Sequence, residues 1–310
     1  MSEWEIRIEA QPVYLFGDTG NDHLYLVLVS PEQDEWVLRG YPSGIFNVGP
    51  IIVEDSVPIA DSRDYRPIED RERVGSRVLD LEGRDPLAVW DIMRQQTRAI
   101  EAAEIAYDVF SMNSNSAVAS MLHTVGLRIA DNLPDQPDRE DSFPGIDSIL
   151  DVFDFVLSGA DDNDVIWGGS QNDTLSGGAD DDSLSGQAGR DHLMGGDGAD
   201  FLNGGWGSHD QLTGGNGADR FFHAGHAGHG TDWILDADFS EGDRLVFGSV
   251  ASADHFQVNI ANTAGMGDAE VAEAFVIWKP TGQILWALTD GAELEMITIR
   301  AEGSEFDLVI

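Results

Sequence analysis

Residues 159–222 read GADDNDVIW-GGSQNDTLS-GGADDDSLS-GQAGRDHLM-GGDGADFLN-GGWGSHDQLT-GGNGADRFF, seven copies of a nine-residue unit with one extra residue in the sixth. Each unit opens on Gly. The aspartate at its sixth position gives the series Asp164, Asp173, Asp182, Asp191, Asp200, Asp210 and Asp219, the sixth member displaced by the extra residue. A large apolar residue two places later gives Ile166, Leu175, Leu184, Leu193, Leu202, Leu212 and Phe221. A three-residue strand with one apolar side chain buries a single face. The Gly-rich hexapeptide then turns the chain, because Gly reaches positive φ and lets backbones approach. Two units complete one turn of a coil, so alternate units stack and their apolar residues form a buried ladder. The stretch has many Asp, no Glu and no Lys. Loops presenting carbonyl oxygens and short carboxylates suit a hard cation that takes roughly 6–8 oxygens. A flexible Gly/Asp linker has no reason to keep Leu, Ile or Phe at every eighth position.

The pattern GGxGxDxUx, with U apolar, resembles the nonapeptide of the repeats-in-toxin (RTX) proteins. The resemblance implies a parallel β-roll holding several Ca²⁺ ions between loops two units apart. One loop would give carbonyls from its second and fourth positions plus its Asp, and the loop two units on carbonyls from its first and third plus its own Asp. Carried over, Gly169, Gln171 and Asp173 pair with Gly186, Ala188 and Asp191; Gly178, Asp180 and Asp182 with Gly195, Asp197 and Asp200; and Gly196, Gly198 and Asp200 with Gly214, Asn216 and Asp219. Asp162, Asp164, Gly177, Ala179, Gly189 and Asp210 complete the implied set. Two departures weaken individual sites: Ala160 and Asp162 stand where Gly is usual, and the sixth unit shifts its Asp. A degenerate eighth unit at 227–234 adds Gly228, Gly230 and Asp232, with Ile234 in register.

The 310 residues suffice for two or three domains. The formal net charge is −40, and Lys279 is the sole lysine. Such a chain repels nucleic-acid phosphates and anionic membrane surfaces and attracts cations. There is no cysteine, hence no disulfide or thiolate metal site. The opening MSEWEIRIEA lacks a basic stretch followed by an apolar core, so no secretory signal peptide is read there. No apolar run of about 18 residues predicts a transmembrane segment. The RTX resemblance instead implies secretion through a type I exporter that reads an uncleaved C-terminal signal, and an extracellular location. The terminal EFDLVI resembles such a tail.

The expected architecture is an α+β N-terminal domain (1–130), a linker (131–150), an all-β parallel β-roll (151–235) and a β-rich cap (236–310). Val13–Phe16, His23–Val29 and Glu35–Leu38 read as strands. Asp85-Pro86 opens a helix carrying Leu87, Trp90, Met93, Thr97, Ile100, Glu104 and Tyr107 at helical spacing, and a second helix runs from Asn115 or Ser116 to a Gly126 stop. In the cap, FVIWKPTGQILWALTDG (275–291) reads as a hairpin about Pro280-Thr281-Gly282. Asp238-Phe239 and Gly242-Asp243-Arg244-Leu245 resemble the segment that closes the roll in serralysin-type C-terminal domains.

In the N-terminal domain, His23 on a strand and Ser114 at a helix start, within MNSNS, resemble circularly permuted papain-like hydrolases, which carry Cys where Ser114 stands. The resemblance implies Ser114 as nucleophile, His23 as its base and a helix-start amide as oxyanion donor. A hydroxyl needs stronger base assistance than a thiol, and the same residues read equally as a helix cap beside an ordinary strand histidine. Neither an HExxH nor a GxSxG motif is present, which argues against a serralysin-like protease or an RTX lipase. Two readings of this domain stand side by side: recognition of an extracellular partner, and amide or ester hydrolysis. His223, His226 and His229, three apart in a Gly/Ala-rich loop, either converge on a transition metal or are ordinary turn residues.

Overall fold

The structure is a computed structural model, and it describes residues 3–14, 18–42, 51–61, 75–106, 113–134, 149–207, 209–265, 267–268 and 270–310. The chain divides into two compact units, Met1–Asp151 and Val152–Ile310. Phe16, Tyr107 and most of the expected linker lie outside the described residues.

In the first unit, five antiparallel strands are ordered β4-β3-β2-β1-β5: β1 (Glu5–Tyr14), β2 (Asp18–Val29), β3 (Glu35–Pro42), β4 (Ile51–Pro58) and β5 (Gly75–Val78). Helix α1 (Pro86–Ala102) packs against β4, and α2 (Ser114–Thr124) against β2; α3 (Ile129–Asn132) is a single turn. Asp85 caps α1 by accepting the Leu87 N–H at 3.1 Å, with Pro86 at the first helical position. Trp90, Met93, Thr97 and Ile100 are buried, as their spacing predicts, whereas Leu87 of the same series is 40% exposed. The helix stops earlier than that spacing suggests. Ala103 N–H closes onto Ala99 and Glu101 carbonyls, and Glu104 turns to φ 49°.

The second unit is a β-solenoid of about four turns over residues 156–234 with C-terminal strands extending it. One face is built from β6 (Val156–Ser158), β8 (Thr174–Ala179), β11 (His192–Asp197), β14 (Gln211–Asn216) and β16 (Asp232–Ile234). The other is built from β7 (Val165–Trp167), β9 (Ser183–Ser185), β12 (Phe201–Asn203), β15 (Arg220–His223) and β17 (Arg244–Phe247). A separate two-stranded ladder pairs β10 (Ala188–Gly189) with β13 (Trp206–Gly207). Neighbours in each face run parallel and in register, so Leu193 lies beside Leu175 and Leu212, and Leu202 beside Leu184 and Phe221.

Leu157, Leu175, Leu193, Leu212 and Ile234 thus meet Ile166, Leu184, Leu202, Phe221 and Leu245 across a thin core, each at most 1% exposed. Full burial of such a side chain contributes about 1.5–3 kcal/mol, and this ladder is the apolar content of the repeats.

The cap continues both faces. On the first, β18 (Phe256–Ala261), β19 (Glu273–Trp278) and β20 (Gln283–Leu288) follow β16, with β19 and β20 forming the expected antiparallel hairpin. On the second, β21 (Met296–Ala301) and β22 (Ser304–Val309) follow β17. No helix among the described residues is long and apolar enough to cross a membrane.

Candidate metal centre

Coiling by 18 or 19 residues stacks the repeat aspartates in two columns. In the first, Phe155 N–H donates to Asp173 Oδ1 (2.6 Å), Asp173 N–H to Asp191 Oδ1 (2.8 Å) and Asp191 N–H to Asp210 Oδ1 (2.8 Å). In the second, Asp164, Asp182 and Asp200 N–H donate to Asp182, Asp200 and Asp219 Oδ1 at 2.8–2.9 Å. All seven side chains are at most 2% exposed. A longer side chain would overshoot this bond, which is why the columns use Asp.

The second carboxylate oxygen differs along the columns. Asp164 Oδ2 accepts Ala160 N–H (2.9 Å) and Asp173 Oδ2 accepts Gly169 N–H (2.6 Å). In Asp182, Asp191, Asp200, Asp210 and Asp219, Oδ2 is buried with no hydrogen-bond partner. A buried acceptor left unmade costs on the order of 1–3 kcal/mol, and more when it carries charge.

The first-position glycines explain how tightly this oxygen is enclosed. A Cβ added at Gly177, Gly186, Gly195 or Gly214 would stand 2.0–2.2 Å from the Oδ2 of its own unit's aspartate. At Gly177, Gly186 and Gly195 it would also meet the first-position carbonyl two units on at 2.6–2.7 Å. Fourth-position Gly189 and Gly198, with φ 144° and 146°, abut the Gln171 and Asp180 carbonyls in the same way.

Burial pushes Asp182 up to about 7, Asp191 to about 8 and Asp219 to about 7; the bonded N–H of the preceding coil opposes the shift, and neighbouring carboxylates add to it. Asp200 is raised for the same leading reason. Partnerless, enclosed carboxylate oxygens beside main-chain carbonyls are a donor set that fits a divalent hard cation.

Four copies of the RTX calcium-binding nonapeptide repeat match this chain, at residues 156–184, 176–208, 185–221 and 208–225. Residues 156–225 are RTX calcium-binding repeats. RTX nonapeptide repeats bind calcium, and the roll described above is their fold. Among solved structures, the chain is similar to the AlgE6R3 subunit from the Azotobacter vinelandii mannuronan C5-epimerase, at 25% identity over 39% of this chain and 71% of that one, with a TM-score of 0.30. No curated protein matches the chain.

The RTX roll brings together the three expected loop pairs, with Asp173 beside Asp191, Asp182 beside Asp200 and Asp200 beside Asp219. Ala179 and Ala188 N–H donate to the Ala160 and Gly169 carbonyls two units back at 3.0 Å, and Gly198 N–H to Asn216 O at 2.9 Å. The side chains of Asp162, Asp180 and Asp197 are exposed, and Asp197 Oδ1 accepts a bond from Asn216 Nδ2. The displaced Asp of the sixth unit needs a correction. The extra residue is absorbed before Asp210, which keeps its place in the column.

In the eighth unit, Ile234 stacks on Leu212 as its register predicts. Gly228 O accepts Gly207 N–H (2.9 Å), and Gly230 O faces His223 Nε2 (3.1 Å) and Gln283 Nε2 (3.2 Å).

Five further residues hold the loops without having been read from the sequence as site residues. Asp243 extends the second column, accepting Asp219 N–H through Oδ1 and Asp238 N–H through Oδ2. Its Asp-x-Leu spacing with Leu245 carried the signal. Asp236 takes Gly214 and Gly215 N–H, one on each oxygen, at 2.9 Å. At the fifth position, Asn163, Asn172 and Asp181 Oδ1 accept the N–H of Asp181, Arg190 and Ala199 one coil later. They bond in the opposite sense to the sixth-position aspartates, so each loop is tied to both neighbours.

In the first unit, Asn113 caps α2 by accepting Asn115 and Ser116 N–H (2.8 and 3.3 Å), and Ser116 Oγ accepts Asn113 N–H (3.3 Å). Ser114 is therefore the first helical residue and not the cap. Asn115 Oδ1 instead accepts Leu24 N–H at 2.7 Å, which ties the residue after His23 to the residue after Ser114. The side chains of His23 and Ser114 themselves lie outside what the structure describes.

Proposed function

We propose that this chain is an exported calcium-binding protein whose Val152–Ile310 unit folds when it meets extracellular Ca²⁺, and whose first unit recognises an extracellular partner. The observation that carries the reading is the set of five buried Oδ2 atoms without a hydrogen-bond partner. Columns of carboxylates 18 or 19 residues apart repel one another, and one apolar residue per unit is a small return for ordering nine. A cation shared between successive loops removes the repulsion, so binding free energy becomes folding free energy. The residues placed to hold it are the aspartates of each loop pair with first- to fourth-position carbonyls, as in Asp182 and Asp200 with Gly178, Asp180, Gly195 and Asp197.

Extracellular Ca²⁺ modules have Kd of about 10⁻⁴–10⁻³ M. At cytosolic calcium such a roll is unfolded and passes a type I exporter, and outside it folds. RTX repeat proteins are typically extracellular, which supports this placement. Circular dichroism should show β-structure gained cooperatively on Ca²⁺ addition but not on Mg²⁺, which demands tighter octahedral geometry. A spectrum indifferent to calcium overturns the reading.

A second reading for the first unit is an amide or ester hydrolase using Ser114 and His23. The Leu24–Asn115 hydrogen bond favours it, because it draws that strand and that helix start together. Labelling by a fluorophosphonate, lost in Ser114→Ala, is the expected outcome for the enzyme. A serine inert to the probe leaves recognition as the role.

A further inference from the structure

The end of the RTX roll carries a cluster of different chemistry. His223 on β15, His229 in the turn that follows and Asp232 on β16 are each at most 2% exposed, and one ligand atom from each lies within 4.8 Å of the others. The two imidazole rings are 4.2 Å apart between centroids. His229 Nε2 lies 3.2 Å from Asn203 Oδ1, while Asn203 Nδ2 is turned to Ser185 Oγ. With the Asn203 amide assigned in this orientation, the His229 proton is placed on Nε2, which leaves Nδ1 facing Asp232, 3.8 Å from its Oδ2. His229 Nδ1 and both Asp232 oxygens are buried with no hydrogen-bond partner. His223 is held in place by Gly225 N–H on Nδ1 (2.9 Å) and Gly230 O at Nε2.

By spacing, Asp232 should simply continue the first aspartate column. It keeps the column's register, Trp233 N–H donating to Asp210 O at 2.8 Å as Gln211 N–H does to Asp191 O, and its carboxyl faces that of Asp210, but it lacks the column's own side-chain bond. Asp173, Asp191 and Asp210 each accept an N–H from the coil before, whereas Asp232 accepts none. Asp232 faces both the Asp210 carboxyl and imidazole nitrogen, and the nitrogen suits zinc, copper or nickel and not calcium.

We propose that His223, His229 and Asp232 bind one transition cation of the Zn²⁺ type, at the end of the first aspartate column. His229 Nδ1 and the Asp232 carboxylate supply two ligands. His223 supplies the third on releasing one backbone contact, and water the fourth, the pattern of an open tetrahedral zinc site. Asn203 acts as the outer partner that fixes the His229 tautomer. The way in is the exposed turn at 226–228. His226, which the i, i+3, i+6 spacing groups with the other two, is instead exposed and tilted at 40° against Trp206, 5.2 Å between centroids. Asp232 takes its place.

The test uses the full chain in saturating Ca²⁺ with Co²⁺ as a coloured stand-in for Zn²⁺. The expected result is one equivalent bound with the intense visible absorption of a four-coordinate ion, displaced by Zn²⁺ and not by further Ca²⁺. The band is lost in His229→Gln and kept in His226→Ala; Asn203→Ala binds about tenfold more weakly. Far-UV circular dichroism checks that each variant is folded. Independently of any variant, imidazole ¹⁵N resonances of His223 and His229 shift with Zn²⁺ in the wild-type chain while that of His226 does not. Absence of the band, its loss in His226→Ala but not in His229→Gln, or displacement by Ca²⁺ each overturns the proposal.

Discussion

Asp200 and Asp164 hold the same position of the repeat in different surroundings. Asp200 bonds forward to Asp219 and backward to Asp182, and its Oδ2 has no partner, whereas Asp164 Oδ2 is capped by Ala160 N–H. Asp200→Asn, which keeps the shape and removes the charge, should raise the calcium midpoint of folding about tenfold, because ligand charge sets affinity in oxygen sites. Asp164→Asn should move it far less. Calorimetric titration checks the pair, and equal shifts would contradict the unequal environments. At Gly186 the added Cβ of Ala would stand 2.2 Å from Asp191 Oδ2. Gly186→Ala should therefore cost about 1–3 kcal/mol in a chemical denaturation curve run in calcium.

At the scale of elements, the apolar ladder and the carboxylate columns respond to different variables. Leu193 is fully buried between Leu175 and Leu212, and Leu193→Ala should cost about 2–5 kcal/mol with calcium affinity per native molecule unchanged. The columns respond to pH. Asp182, Asp191 and Asp219 have folded values of about 7, 8 and 7, above the ordinary 3.8, chiefly through burial. The folded, calcium-free roll thus holds more protons than the unfolded chain. That contribution to stability is complete below about pH 4 and is lost as pH rises through about 7–8. Without calcium, β-structure should be greater at pH 5 than at pH 8. With calcium the sign reverses, since protons compete for the ligands, and the calcium midpoint should fall between pH 6 and pH 8. Circular dichroism at fixed ionic strength reads both.

For the molecule as a whole, the charge of −40 is divided between a five-stranded sheet with helices and a roll whose interior includes aspartate. A ligand that binds only the folded form stabilises it by about 2.7 kcal/mol per site at a hundredfold excess over Kd. Scanning calorimetry at rising calcium should move the transition of the Val152–Ile310 unit upward by several degrees, while magnesium at equal ionic strength should not.

The repeat array was legible in the sequence because its signal is periodic. A Gly turn, an Asp and one apolar residue recurring at nine fix strand, loop and stacking register together, and no distant contact is needed to interpret them. The same logic placed the Pro280-Thr281-Gly282 hairpin and the cap of α1, where local chemistry decides local shape. The Asp243 step, the Asp236 clamp and the absorption of the extra residue before Asp210 were settled by tertiary structure, since each depends on which backbone N–H lies one coil away. So was the exchange of His226 for Asp232 beside His223 and His229. Spacing along a loop says nothing of which side chains turn inward, and burial across two faces of the roll does.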